Sequence, residues 1–175
     1  IPQSYTINVY NNPVPNAGTP ETICQGESAI LGGTPNGVGP SASGGTGSYT
    51  YSWLPTYGLN NPTAEHPSAN PVVSMTYQLM VTDVNSGCIS TAPSSVLLTV
   101  NPAPTVLMPP LSQTKCVGDV VVFAATVSGN SYQWEISTDN GGTYTDVVDN
   151  ATYDNVTSTS LTVNNITLAM SGYMY

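Results

Sequence analysis

The feature that most constrains this chain is a plan it states twice. An alternating apolar stretch running into prolines, Tyr5-Thr6-Ile7-Asn8-Val9-Tyr10-Asn11-Asn12-Pro13-Val14-Pro15, returns as Val96-Leu97-Leu98-Thr99-Val100-Asn101-Pro102-Ala103-Pro104. Each copy leads to a cysteine, a glycine two positions on and an apolar strand: Cys24-Gln25-Gly26-Glu27-Ser28-Ala29-Ile30-Leu31, then Cys116-Val117-Gly118-Asp119-Val120-Val121-Val122-Phe123. Each then reaches a single tryptophan inside an aromatic strand, at Tyr49-Thr50-Tyr51-Ser52-Trp53 and at Ser131-Tyr132-Gln133-Trp134-Glu135-Ile136. A recurring pattern implies a recurring structural unit. Period-two alternation between Gly, Pro and Asn clusters implies short strands and turns rather than helices. The expected organisation is the last strand of a preceding domain plus a linker over 1–12, one sandwich over 13–102, and a second over 103–175. The second has no counterpart of the strand at 95–100 and is expected to lack its C-terminal strand or strands.

Charge narrows the function classes. Ten acidic residues stand against a single lysine and no arginine, a net charge of -9. Such a surface repels phosphate backbones, so nucleic acid is excluded as a partner. No run approaches the roughly 18 apolar residues of a membrane span, so no membrane insertion is expected. The start lacks the basic-then-apolar pattern of a secretion signal, so the chain reads as a mature or excised stretch. The three cysteines fall in none of the short paired spacings of zinc sites and suit disulfides in an oxidising compartment. With 39% hydrophobic residues the chain can bury two small cores.

Several motifs resemble the PKD-like and immunoglobulin-like repeats of very large surface proteins and gliding-motility adhesins of Bacteroidetes, commonly exported by the type IX system. They are Ser43-Gly44-Gly45-Thr46-Gly47-Ser48-Tyr49-Thr50-Tyr51-Ser52-Trp53-Leu54-Pro55, Gly58-Leu59, and Thr76-Tyr77-Gln78-Leu79-Met80-Val81-Thr82-Asp83 leading to Gly87-Cys88. Tyr132-Gln133-Trp134 and Ser137-Thr138-Asp139-Asn140-Gly141-Gly142-Thr143-Tyr144 extend the likeness over nearly the whole chain. The resemblance implies an all-β fold of tandem immunoglobulin-like (PKD-like) β-sandwiches, with Trp53, Trp134, Tyr77 and Tyr175 in the cores. It implies a disulfide between Cys24 and Cys88 with Trp53 packed on it, and a partner for Cys116 just beyond Tyr175. Tyr175 would then be a corner tyrosine donating its hydroxyl to nearby backbone.

Candidate sites are few. Ser137 to Tyr144 resembles an Asp-box, whose Asp139-Asn140-Gly141-Gly142 supplies the positive φ angles of a tight hairpin. No cofactor is expected. A calcium ion is conceivable if Asp139, Asp146 and Asp149 converge, since hard cations want several oxygen ligands, but their spacing matches no EF-hand loop. Glu65 and His66 read as a solvated loop pair, because neighbours on extended chain point to opposite faces. His66 is the sole histidine, and no Ser-His-Asp constellation can be assembled, so no enzyme is expected. Tyr49, Tyr51, Trp53 and Tyr57 could stack a sugar, yet alternation sends the first three to one face, where the core needs Trp53. Asn150, Asn155 and Asn165 begin N-x-Thr acceptor patterns. They read as polar surface, with glycosylation of an extracellular chain as the alternative.

Three readings of function follow. One is a structural or adhesive repeat of an extracellular surface protein or filament, partnered by neighbouring immunoglobulin-like domains and possessing a semi-rigid proline linker at 101–104. Its near absence of Lys and Arg leaves Lys115 alone for trypsin-like proteases. Another is a fibre subunit whose strand 4–10 completes the second domain of a neighbouring subunit. The third is a carbohydrate-binding accessory module that takes surface glycans.

Overall fold

The computed structural model describes residues 3–175 and divides the chain into two units, Ile1–Ala103 and Pro104–Tyr175. Unit 1 contains β1 (Val14–Pro15), β2 (Glu21–Cys24), β3 (Ala29–Ile30), β4 (Ala42–Ser43), β5 (Tyr49–Leu54), β6 (Ser68–Ala69), β7 (Met75–Asp83) and β8 (Ser94–Asn101). Its main sheet has the order β2-β8-β7-β5, with β2 parallel to β8 and the other neighbours antiparallel. The pairs β1-β4 and β3-β6 supply the rest of the ladders.

Alternation explains the core. Along β7, Tyr77, Leu79, Val81 and Asp83 point inward, and along β8 so do Val96, Leu98 and Val100, while the residues between them face outward or are half-buried. Trp53 on β5 stands opposite Leu79 and is 1% exposed. Ala29, Leu31, Ala42 and Ala69 from the short pairs join the same cluster. Each large side chain so buried contributes roughly 1.5–3 kcal/mol.

Unit 2 holds β9 (Thr105–Met108), β10 (Val121–Ala124), β11 (Thr126–Ser128), β12 (Glu135–Ile136), β13 (Thr145–Asp146), β14 (Tyr153–Asp154), β15 (Ser160–Val163) and a 3-10 turn, Leu168–Met170. Its ladders are β10-β15-β14, β9-β11 and β12-β13, and Ser137 bridges Met174. The core is Val121, Val147, Val156, Leu161 and Val163, with Phe123, Trp134, Ile136 and Tyr175 half-buried against it.

Residues 4–10 carry strand alternation but form no ladder among the described residues. Tyr5, Ile7 and Val9 are each 87% exposed. β1 begins only at Val14, whose partner is Ser43.

Candidate functional site

The repeated cysteine motif is a turn. In unit 1 the Glu27 N–H donates to the Cys24 carbonyl (3.0 Å) and the Cys24 N–H donates to the Glu27 carboxylate (2.8 Å). In unit 2 the Asp119 N–H donates to the Cys116 carbonyl (3.1 Å) and the Cys116 N–H to the Asp119 carboxylate (3.0 Å). Gly26 and Gly118 sit at φ 95° and 91°, the region a type II turn needs at its third residue and where a Cβ would be strained. The Cys-x-Gly-acid repeat therefore encodes a carboxylate-capped turn in both units. In unit 1 this turn also holds the end of β8, through Gln25 N–H to the Asn101 carbonyl (2.8 Å) and Ala103 N–H to Gln25 Oε1 (3.2 Å).

This geometry overturns the Cys24–Cys88 disulfide. All three cysteines are free; Cys24 and Cys116 are exposed and Cys88 is half-buried. Cys24 lies beside Asn101, past the Met75 end of β7, whereas the Cys88 carbonyl accepts from Asp83 N–H at the other end. Nine residues of β7 separate those ends, roughly 30 Å at about 3.3 Å per residue, whereas a disulfide holds its Cα atoms within about 7 Å. Cys24 closes a strand at the sheet edge. The place two residues after a corner tyrosine, where an immunoglobulin domain puts its second cysteine, is filled by Leu79, fully buried opposite Trp53. A hydrophobic contact stands where the sulfur bridge was expected. A partner for Cys116 beyond Tyr175 lies outside the described residues.

In unit 1 a corner tyrosine is present as Tyr77, whose hydroxyl donates to the Tyr57 carbonyl at 2.8 Å; in unit 2 no such bond from Tyr175 to backbone forms among the described residues. The Tyr175 ring instead packs 5.1 Å from Phe123 and 6.2 Å from Tyr153. Burial first, and the Tyr153 hydroxyl second, push its ionisation well above the usual tyrosine range. Both tryptophans anchor by the indole N–H, Trp53 to the Ala64 carbonyl (3.0 Å) and Trp134 to the Ser158 carbonyl (2.8 Å).

Two aspartates act as staples. Asp139 is the centre of the Asp-box hairpin: its carboxylate accepts from Ser137 Oγ (2.7 Å), Thr143 N–H (2.8 Å) and Thr143 Oγ1 (2.8 Å), with Asn140 and Gly141 at φ 59° and 86°. Donation from the Thr143 N–H, then from Ser137 and the Thr143 hydroxyl, holds its carboxyl down at about 2. Asp83 ends β7 facing inward with no exposed surface. It accepts from the Thr46 N–H, Thr46 Oγ1 (2.8 Å), Asn85 N–H (3.0 Å) and Ser86 N–H (2.9 Å), tying the Gly44-to-Gly47 loop to the turn after β7. The Thr46 N–H leads in holding this carboxyl well below the ordinary range. Reading the sequence missed Asp83, although an acid on the apolar face of a strand, in phase with Tyr77, Leu79 and Val81, was the available signal.

The remaining candidates disperse. Among the described residues no three acids, histidines or cysteines gather into a metal-sized cluster, so Asp139, Asp146 and Asp149 do not converge. Asp139 is saturated by its hairpin, and Asp149 accepts from the Val156 N–H at 3.3 Å. Glu65 and His66 are not the solvated pair expected. His66 Nε2 lies 2.9 Å from the Gly39 carbonyl, and the Ser41 N–H donates to Glu65 at 3.2 Å, both residues being half-buried. Tyr49 and Tyr51 pack edge to face on each other and half-buried against the core, so with buried Trp53 they form no open platform, and of the four Tyr57 alone is exposed. Burial first, then the Glu65 carboxylate, pushes Tyr51 up to about 12. Asn150, Asn155 and Asn165 are exposed. Asn155 and Asn165 are turn residues at φ 65° and 49°, and Asn150 caps its own loop by accepting from the Thr152 N–H at 2.7 Å.

The fold is an immunoglobulin-like β-sandwich. No family model and no curated protein sequence matches the chain. Solved structures do: the I-band fragment I67–I69 of titin superposes with a TM-score of 0.57 at 13% identity, over 94% of this chain and 60% of that one. Sidekick-1 immunoglobulin domains 1–4 superpose with a TM-score of 0.50 at 14% identity, over 89% of this chain and 41% of that one. The chain thus spans less than two thirds of either neighbour, both of which are strings of immunoglobulin domains.

Proposed function

We propose that this chain is a load-bearing, non-catalytic repeat segment of an extracellular surface protein, of the kind its motifs resemble in the large type IX-exported proteins of Bacteroidetes, working by reach and display. One observation carries the reading. The chain enters unit 1 at the Asp83 pole, where Val14 pairs with Ser43, and leaves it at the opposite pole, where Asn101 lies beside Cys24. Tension between those two points pulls parallel neighbours β2 and β8 in opposite directions. The β2-β8 ladder is then loaded in shear, so its bonds must yield together rather than one by one. Tyr77 to Tyr57 and Asp83 to Thr46 clip the loops at the two poles. A surface with one lysine, Lys115, offers trypsin-like proteases a single point of attack, which suits exposure outside a cell.

Single-molecule stretching of unit 1 between handles at its two poles tests this. The expected result is one cooperative high-force rupture that falls when Gln25→Pro removes the N–H that bonds the Asn101 carbonyl at the end of the β2-β8 ladder. Gradual low-force unravelling would sink the load-bearing role.

A further inference from the structure

All three Asn-x-Thr patterns fall within residues 150–167 of unit 2, and unit 1 has none, its near match Asn61-Pro62-Thr63 being closed by the proline. The three asparagines are not equivalent. Asn150 is tied at both amide atoms: Nδ2 donates to the Val148 carbonyl (2.9 Å), and Oδ1 accepts from the Thr152 and Tyr153 N–H groups (2.7 and 3.1 Å). The Thr152 of its pattern is half-buried. Asn155 and Asn165 are exposed, as are Thr157 and Thr167, and none of these four side chains makes a hydrogen bond among the described residues. A left-handed turn accounts for asparagine at φ 65° and 49°. It does not account for an open threonine hydroxyl two residues on in both places. The two sites also bracket one strand. The order β10-β15-β14 leaves β14 at the edge of its sheet. Asn155 follows β14 directly, and the Tyr153↔Val163 register, continued, sets Asn165 level with Ala151. Four residues of extended chain separate those levels, roughly 13 Å at about 3.3 Å per residue.

We infer that Asn155 and Asn165 are acceptors of N-linked sugar and that Asn150 is not. The co-substrate is a phosphate-activated sugar. Nδ2 attacks its anomeric carbon, the carbon–nitrogen bond forms as the carbon–oxygen bond to phosphate breaks, the phosphate leaves with the electron pair, and one Nδ2 proton passes to a base of the transferase. An amide nitrogen shares its lone pair with the carbonyl and is a weak nucleophile. Transfer therefore needs an enzyme that reaches the amide and the hydroxyl of the pattern together. Both groups are open at Asn155 and Asn165, whereas at Asn150 the nitrogen is held and the threonine is half-buried. Bulky, hydrated sugar at the two ends of β14 keeps its unpaired N–H and C=O groups from pairing with another strand, the service that charges and prolines perform at other sheet edges.

The inference rests on the extracellular reading proposed above but fails separately from it, since unit 1, the part to be stretched, carries no acceptor. The protein isolated from the cells that make it would be digested with chymotrypsin, because it has one lysine and no arginine, and its peptides sequenced by electron-transfer mass spectrometry. Sugar mass should sit on Asn155 and Asn165, with Asn150 bare. Thr157→Ala and Thr167→Ala, expressed in the same cells, should each empty their own site and leave the other filled. Thr157→Ser, which keeps the hydroxyl, should keep Asn155 filled. Unchanged melting of these variants separates loss of the hydroxyl from loss of the fold. A bare asparagine at either site overturns the assignment for that site. Sugar on Asn150 at the level of the others overturns the structural distinction, and sugar that persists on Asn155 in Thr157→Ala overturns recognition through the hydroxyl.

Discussion

Unit 1 and unit 2 are built on one plan and differ in how far the plan is closed over the core. Unit 1 sandwiches Trp53, Tyr77 and Leu79 at 1%, 0% and 0% exposure under a four-stranded sheet. Unit 2 has five buried aliphatic side chains, and its tryptophan stays half-buried. Two devices, by contrast, are the same in both: the acid-capped cysteine turn and the indole bond to a carbonyl recur with nearly equal distances. The turn is written within four residues, whereas the indole bond reaches 11 residues along the chain in unit 1 and 24 in unit 2.

The sharpest break between the units should come from their tryptophans. Trp53→Ala is expected to destabilise unit 1 by about 3–5 kcal/mol, and Trp134→Ala to cost unit 2 distinctly less, because its ring is already part-solvated. Calorimetric unfolding, which follows both units in each variant, reads this, and equal losses would erase the contrast.

Acid should sharpen the comparison next. Both staple aspartates have depressed pKa values, so each contributes stability above the unfolded carboxylate pKa of about 3.9 that is lost as pH falls through its folded value. For Asp139 that window runs from near pH 4 to about 2; for Asp83 it extends lower still. Asp139→Asn should therefore flatten the acid dependence of unit 2 and Asp83→Asn that of unit 1, as measured by thermal melts across that range. A steep acid dependence retained in both variants would place it elsewhere.

A pair of glycine substitutions should remove the contrast. A Cβ at Gly26 or Gly118 meets nothing within 4 Å, so only the positive φ opposes it. Gly26→Ala and Gly118→Ala are each expected to cost about 1–2 kcal/mol, alike in the two units. Unequal costs would show that the two turns are not the same device. Tyr77→Phe should lose about 1 kcal/mol with its hydroxyl bond to Tyr57. The smallest effect expected is none: reductant should leave the melting of unit 1 unchanged, and all three thiols should react with maleimide in the folded chain, Cys88 most slowly.

Much of this molecule was legible from one sequence. The repeat, the two-residue alternation, the turn glycines and the Asp-box hairpin are local, each set by the steric and hydrogen-bonding habits of a few consecutive residues, so an all-β chain of short strands and turns could be read directly, while the immunoglobulin-like fold and the core places of Trp53, Trp134 and Tyr77 were implied by the family resemblance. Which cysteine faces which could not. Cys24 and Cys88 have the sequence spacing of a bridge, yet β2 runs parallel to β8 at the sheet edge and carries Cys24 to the pole opposite Cys88. The same holds for Asp83 finding Thr46, for Glu65 and His66 both bracing the Gly39-to-Ser41 segment, and for the exposure of Tyr5, Ile7 and Val9. Strand order and register are properties of the assembled sheets. Pairing energies between segments far apart in the chain decide them, and no short window of sequence contains both partners.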